Sequence, residues 1–453
     1  VVFVEQDLIQ QERTLFNGRQ LLLSQLPDEV ATILVEQRQQ LCHLELILAI
    51  QDEHGQKICQ RCGSIVPICQ ILPSGYYYCR QCLVMGRVTS RDYLVRLNQH
   101  FEYPHQVNSL TWTGQLTSAQ AQVANHILQQ FEQQKRPEQL LWAVTGAGKT
   151  EMTFPIIAAF LNRGQRVGFV SPRVDVCNEL FPRVKAAFNT SSVGLLHGQV
   201  HDRYQNEQLI IATVHQLLRF YQAFDLLIVD EVDAFPYVGD PMLQRAVARA
   251  IRPKGQRLYL SATPPASLLL AARQNQLPLH YLARRFHGRA LPVPQLILGR
   301  IFNGEQFTSK LQNLLQNWAA QHRRFLIFLP EISDLKLTAQ ALQQCLPKIV
   351  MATVYAADEQ RLTKVQDFRE GRLDVLLTTT ILERGVTFSD IDVLILAANH
   401  RNYTTASLVQ IAGRAGRAAN FANGRVVFYS EYYTLKIRRA VKMIQHLNRQ
   451  GGF

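Results

Sequence analysis

The residues Ala143-Val144-Thr145-Gly146-Ala147-Gly148-Lys149-Thr150 follow an apolar run and open a helical pattern. Glycines let a backbone fold tightly, so that its N–H groups converge on phosphate oxygens at the positive end of a helix. In such a loop Lys149 reaches the β- and γ-phosphates and Thr150 ligates Mg²⁺. About eighty residues on, Leu226-Leu227-Ile228-Val229-Asp230-Glu231-Val232-Asp233 supplies an apolar strand that ends in carboxylates. Asp230 is placed to hold the hydration shell of Mg²⁺, and Glu231 to polarise an attacking water. The two segments predict that the chain binds and hydrolyses a nucleoside triphosphate.

Farther on, Gln410-Ile411-Ala412-Gly413-Arg414-Ala415-Gly416-Arg417 carries glycines that permit close backbone approach. Arg414 and Arg417 are candidates to reach the γ-phosphate across a cleft, and an arginine so placed is worth about 10³–10⁵ in rate. A different chemistry lies near the start. Cys59-Gln60-Arg61-Cys62 and Cys79-Arg80-Gln81-Cys82 stand sixteen residues apart and offer four thiolates to a tetrahedral ion. Gly63 suits the tight turn after the first pair. With four protein ligands the site is closed, so Zn²⁺ is expected in a structural role. Cys69 is a spare thiol expected to be buried, and Tyr76-Tyr77-Tyr78 is expected to fill a strand rather than to stack on bases.

These residues need elements to position them. From about Leu110, apolar runs alternate with amphipathic stretches: Leu140–Val144, Arg166–Val170, Leu209–Ala212, Leu226–Val229 and Arg257–Leu260. After a Pro- and Gly-bearing stretch at Arg284–Pro294 the pattern resumes with Phe325–Leu329, Ile349–Val354, Val375–Leu377, Val393–Leu396 and Arg425–Phe428. That alternation is the signature of parallel βα units. The expected organisation is an N-terminal segment over 1–53, a four-cysteine domain over 54–100, one α/β lobe over 105–283, a linker over 284–298 and a second lobe over 299–453.

The 453 residues carry 48 Lys and Arg against 35 Asp and Glu, a formal charge of +13, and 47% are apolar. Collagen-like and disordered readings are excluded, and no apolar run approaches the ~18 residues that a membrane span needs. The first residues lack the basic stretch and cleavage site of a secretory signal, so a cytosolic protein is expected. The chain begins without Met, as a processed or trimmed chain does. The basic balance favours a polyanionic partner.

In this order the motifs resemble those of superfamily 2 helicases and translocases, with Ala143 standing where the commoner phosphate loop has glycine. The resemblance covers about residues 110–435 and implies two RecA-like parallel-sheet lobes, ATP as the nucleotide, and a strand of nucleic acid as the track. It implies that Gln120, after Leu116-Thr117, contacts adenine, and that Thr145, Gly146, Ala147, Gly148, Glu151, Gly385 and Gln410 join the ATP site. Pro172 and Arg173 of Ser171-Pro172-Arg173, Thr213 and His215 of Ala212-Thr213-Val214-His215, and Thr380 would touch the nucleic-acid backbone. Ser261 and Thr263 of Ser261-Ala262-Thr263 would couple hydrolysis to lobe movement.

The cysteine module ahead of the first lobe, Ser171-Pro172-Arg173-Val174-Asp175-Val176-Cys177, Asp230-Glu231-Val232-Asp233-Ala234-Phe235-Pro236 and Arg285-Phe286-His287-Gly288 together resemble the ComFA family of bacterial competence. That resemblance implies an ATP-driven motor for uptake of single-stranded DNA. It also implies work at the inner face of the cytoplasmic membrane with ComFC and other competence proteins, and allows a homo-oligomer. A replication-restart helicase of the PriA type is the nearer alternative, although its cysteines interrupt the second lobe. A non-hydrolysing DNA-binding scaffold is the other, opposed by Lys149, Glu231 and Arg417.

Overall fold

A computed structural model describes residues 2–133, 136–199, 204–386, 388–416 and 424–453. Its contacts divide the chain into two units: Val1–Leu141 with Thr150–His280, and Trp142–Lys149 with Tyr281–Phe453.

The first unit is built on a seven-stranded sheet. Its order is Leu279–Leu282, Glu138–Ala143, Ile251–Ser261, Phe224–Val229, Val167–Ser171, Leu209–Thr213 and Val193–Leu196. From Ile251–Ser261 to the Val193–Leu196 edge every ladder is parallel. Parallel strands covered on both faces have no polar side, which is why Val167–Ser171 and Leu209–Thr213 are buried at every position. The loop 144–149, Pro172, His215, Asp230 and Ala262 all follow the carboxyl ends of these strands, where open α/β sheets bind ligands.

Ahead of that sheet lies a three-stranded antiparallel one, Gln20–Leu22, Tyr93–Leu97 and Leu44–Leu48. It joins residues on both sides of the cysteines, so the segment expected to stand apart over 1–53 shares its sheet with 93–97. Helices Val2–Gln11 and Asp28–Glu36 pack on it through Leu8, Ile9, Val30 and Leu34. The hairpin Ile50–Glu53 and Gln56–Cys59 then leads into the cysteine module.

The second unit carries six parallel strands, in the order Gln295–Leu298, Val426–Ser430, Ile391–Ile395, Arg324–Phe328, Val375–Thr378 and Met351–Val354. Its core packs Leu311, Leu315 and Trp318 of helix Ser309–Ala320 against Phe325, Leu377 and Leu394 of the sheet. Gln295–Leu298 falls within the stretch expected to be linker. It pairs in register with Val427–Ser430 and is a true edge strand. Among the described residues no helix is long and apolar enough to cross a membrane.

Candidate functional site

Gly146 and Gly148 hold φ of +79° and +76°, left-handed values that a side chain disfavours, and they turn the chain from Glu138–Ala143 into helix Lys149–Asn162. Lys149 Nζ donates to the carbonyl of Ala143 at 3.3 Å. Thr145, Ala147 and Thr150 are buried. Glu151, in the first turn of the helix, pairs with Arg183. Gln120 is buried and closes a reciprocal cap: its Oε1 accepts from Thr117 N at 2.8 Å while Thr117 Oγ1 accepts from Gln120 N at 3.3 Å. The side chain expected on adenine therefore also fixes the start of helix Ser118–Glu132.

Asp230 is buried at the end of Phe224–Val229, and its Oδ1 accepts from the backbone N–H of Glu231 at 2.8 Å. Glu231 has φ of +54°, a strained value for a residue with a side chain. The turn is held by Ala234 N donating to Glu231 O at 2.8 Å. Asp233 was not singled out by the sequence, yet it ties two motifs together. Ser261 Oγ donates to its Oδ1 at 2.6 Å and Thr263 Oγ1 to its Oδ2 at 2.5 Å. Both residues expected to couple hydrolysis to movement thus grip the carboxylate two positions beyond Glu231. Its place in the acidic run was the available signal.

In the second unit, Gln410 lies buried in helix Thr405–Ala412, and Gly385 takes φ of +72° beside the short helix Thr380–Glu383. Arg414 is buried, and its Nε donates to the carbonyl of Glu383 at 3.2 Å. Arg417 lies outside the described residues. Within this same unit the phosphate loop meets the glycine-rich turn closely: a Cβ on Gly413 would fall 2.0 Å from Thr145 Oγ1. Gly413 is required there by space rather than by backbone angle.

Residues expected at nucleic acid divide by exposure. Ser171 and Thr213 face each other in register at the ends of adjacent strands; Pro172 and Thr213 are buried. Arg173 is half-buried at the start of helix Val174–Ala187. His215 is half-buried, and burial lowers its pKa while Asp240 opposes that shift.

The four cysteines converge. All are buried, and their Sγ atoms lie within 4.8 Å of one another, with Cys59–Cys82 at 3.8 Å and Cys62–Cys79 at 3.5 Å. Four sulfurs around a tetrahedral Zn²⁺ at 2.3 Å stand about 3.8 Å apart, so the donor set fits that ion and is far too open for disulfides. Gly63 takes φ of +71° in the turn after the first pair. Hydrogen bonds with Cys59, Cys79 and Cys82 pull the Cys62 thiol well below its ordinary range, and the bond with Cys62 drives Cys59 far above it. Cys79 and Cys82 are likewise pushed up by their neighbouring sulfurs, so the four ionise together only around a cation. Arg61, itself buried, donates from Nε to Cys82 Sγ at 3.3 Å and from Nη2 to Cys82 O at 3.0 Å.

The module is docked on helix Pro241–Ala250 of its own unit. Arg245 donates to Cys62 O at 3.2 Å and to Ser64 Oγ at 3.0 Å, and Arg249 donates to Gln60 O at 2.6 Å. The cysteines share one apolar cluster with Leu218, Phe220 and Leu243. Cys69, expected to be buried, is exposed: it follows Pro67 in a turn closed by Gln70 N donating to Pro67 O, away from the sulfur cluster. The tyrosines form no continuous strand. Tyr77 and Tyr78 make isolated bridges to Ile71 and Thr89, while Tyr76 stays exposed with Arg91 near its ring.

Three protein families match successive stretches of the chain. The competence protein ComFA N-terminal domain family matches residues 6–96, the type III restriction enzyme res subunit family 113–266, and the helicase conserved C-terminal domain family 307–419. The competence protein ComFA of Streptococcus pneumoniae is 42% identical over 423 residues, 92% of this chain and 96% of its own. That of Bacillus subtilis is 40% identical over 375 residues, 82% of this chain and 80% of its own. Among solved structures, the DEAD-box helicase Mss116 bound to ssRNA and UDP-BeF matches with a TM-score of 0.56 at 15% identity, covering 76% of this chain and 84% of that one. That last likeness is one of fold.

Proposed function

Because the chain belongs to the ComFA family of competence proteins, we propose that it is an ATP-driven motor that moves along single-stranded DNA during uptake of transforming DNA. The observation that carries this reading is the linkage of Asp233, two positions beyond Glu231, to Ser261 and Thr263. A carboxylate beside the water-activating position is hydrogen-bonded to a segment able to register whether the γ-phosphate is present.

In this reading the N–H groups of 145–150 cradle the phosphates, Lys149 offsets charge on the β- and γ-oxygens, and Glu231 takes the proton of the attacking water. Arg414 and Arg417 neutralise charge that grows in the transition state. Thr150 and Asp230 would hold Mg²⁺, whose charge offsets that of the phosphates when bound. Loss of the γ-phosphate alters the grip that each RecA-like unit has on the strand, and repeated cycles ratchet the protein along it. Contacts made by Arg173, Thr213, His215 and Thr380 to phosphates give little sequence preference and a strong salt dependence. Cys59, Cys62, Cys79 and Cys82 would hold Zn²⁺ in a structural role. Work at the inner membrane face, ComFC as partner and a homo-oligomer belong to the same proposal.

The test is ATP turnover compared across single-stranded DNA, duplex DNA and RNA. Stimulation by single-stranded DNA above the others is expected. Preference for forked duplexes would favour a replication-restart role, and turnover blind to all three would refute the proposal.

A further inference from the structure

Arg285 lies in the stretch between the two sheets and is only 2% exposed. Its two terminal nitrogens donate to one turn of backbone. Nη1 donates to the carbonyls of Ala415 at 3.0 Å and Gly416 at 2.6 Å, and Nη2 donates to that of Gly413 at 3.1 Å. Helix Thr405–Ala412 is capped by Gly413, so one acceptor closes the helix and the other two belong to the turn that follows it. A planar fork meets several acceptors at once, which a lysine ammonium on a flexible stem does not.

That turn is the one that carries Arg414. It is held from a second side by Arg414 Nε donating to Glu383 O at 3.2 Å. The residue after Arg285 reaches the phosphate loop: Phe286 N–H donates to Gly146 O at 3.0 Å, within the same unit. Two consecutive residues thus tie the glycine-rich turn and the phosphate loop to one point of the chain.

We propose that Arg285 is a positioning residue for ATP turnover, fixing the backbone of 413–416 so that Arg414 meets the nucleotide at the reach set by the phosphate loop. This rests on the motor reading, in which Arg414 and Arg417 act on the γ-phosphate. In this role Arg285 acts through the turn. Misplacing a catalytic group by about 1 Å is enough to cost ~10²-fold in rate.

The experiment is a double-mutant cycle on the full chain, with ATP turnover read in the presence of single-stranded DNA. In R285Q, kcat is expected to fall about 10²-fold while KM for ATP and the Kd for DNA stay within about 3-fold. In a background that already carries R414A and R417A, adding R285Q is expected to lower kcat by less than about 2-fold, since the groups it positions are gone. R285K is expected to recover part of the loss by restoring charge without the fork, and it carries the same cycle should R285Q not fold. Unchanged kcat in folded R285Q or R285K overturns the proposal, and so does a full further loss in the background without the two arginines. A wild-type protein with no turnover at all overturns the motor reading instead, so the two failures are told apart.

Discussion

Replacing Asp233 with alanine removes the acceptor of two hydroxyl bonds, from Ser261 Oγ at 2.6 Å and Thr263 Oγ1 at 2.5 Å. Hydrogen bonds to a charged partner contribute about 1.5–3 kcal/mol each. Both hydroxyls are buried while Asp233 is partly reached by water, which favours the lower end of that range. The pair is then worth roughly 3 kcal/mol. At 2–4 °C per kcal/mol for domains of this order, the transition of the first unit should fall by roughly 6–12 °C. The cycle of D233A, S261A with T263A, and all three together isolates the interaction, and a coupling energy of roughly 3 kcal/mol is expected. Function should split as well. Lys149, Asp230 and Glu231 are untouched, so D233A is expected to retain DNA-stimulated phosphate release while the DNA moved per ATP collapses. A coupling energy near zero, or movement and turnover falling in proportion, would refute the reasoning.

Lys149→Ala is expected to abolish ATP turnover while leaving single-stranded DNA binding largely intact, measured by phosphate release and by fluorescence anisotropy. Elemental analysis should find one zinc per chain, lost on Cys59→Ser with Cys62→Ser. Because the cysteines share an apolar cluster with Leu218 and Leu243, chelation should also lower the melting transition of the first unit. His280 is held neutral, its pKa lowered to about 4 first by burial and then by His126, while it meets Gln139 Oε1 at 2.6 Å. The unfolded chain takes up that proton near pH 6.5, so stability is full above that pH and is lost as pH falls toward 4, by about 3 kcal/mol. Denaturant titrations between pH 7 and 4 should show this slope, and His280→Gln should flatten it.

Local spacing made much of the molecule legible. Each of the ten apolar runs read as strands overlaps a strand of the two sheets; most are buried on both faces and have no polar positions to break the run, and the edge strand Met351–Val354 is apolar enough to be read as well. Two edge strands escaped: Val193–Leu196 and Gln295–Leu298 are half-exposed and mixed in character. The pairing of Gln20–Leu22 with Tyr93–Leu97 was invisible because its register is decided between residues more than seventy positions apart. The same distance in sequence hid the most informative contacts of the candidate site. Asp233 finds its hydroxyls 28 and 30 positions downstream, and Arg285 finds its carbonyls 128 to 131 positions away. A motif shows which side chains are present, but a bond between motifs is a property of the sheet order. Cys69 was misjudged because the count of cysteines says nothing about which way a turn faces.

The most direct measurement of the motor is the ATP consumed per DNA-binding event as the single strand is lengthened, in single-round kinetics with a trap for released protein. A protein that steps along its track consumes more ATP on longer strands, rising in proportion until it dissociates, and Lys149→Ala shows no such rise. Consumption that is the same on short and long strands would contradict the account.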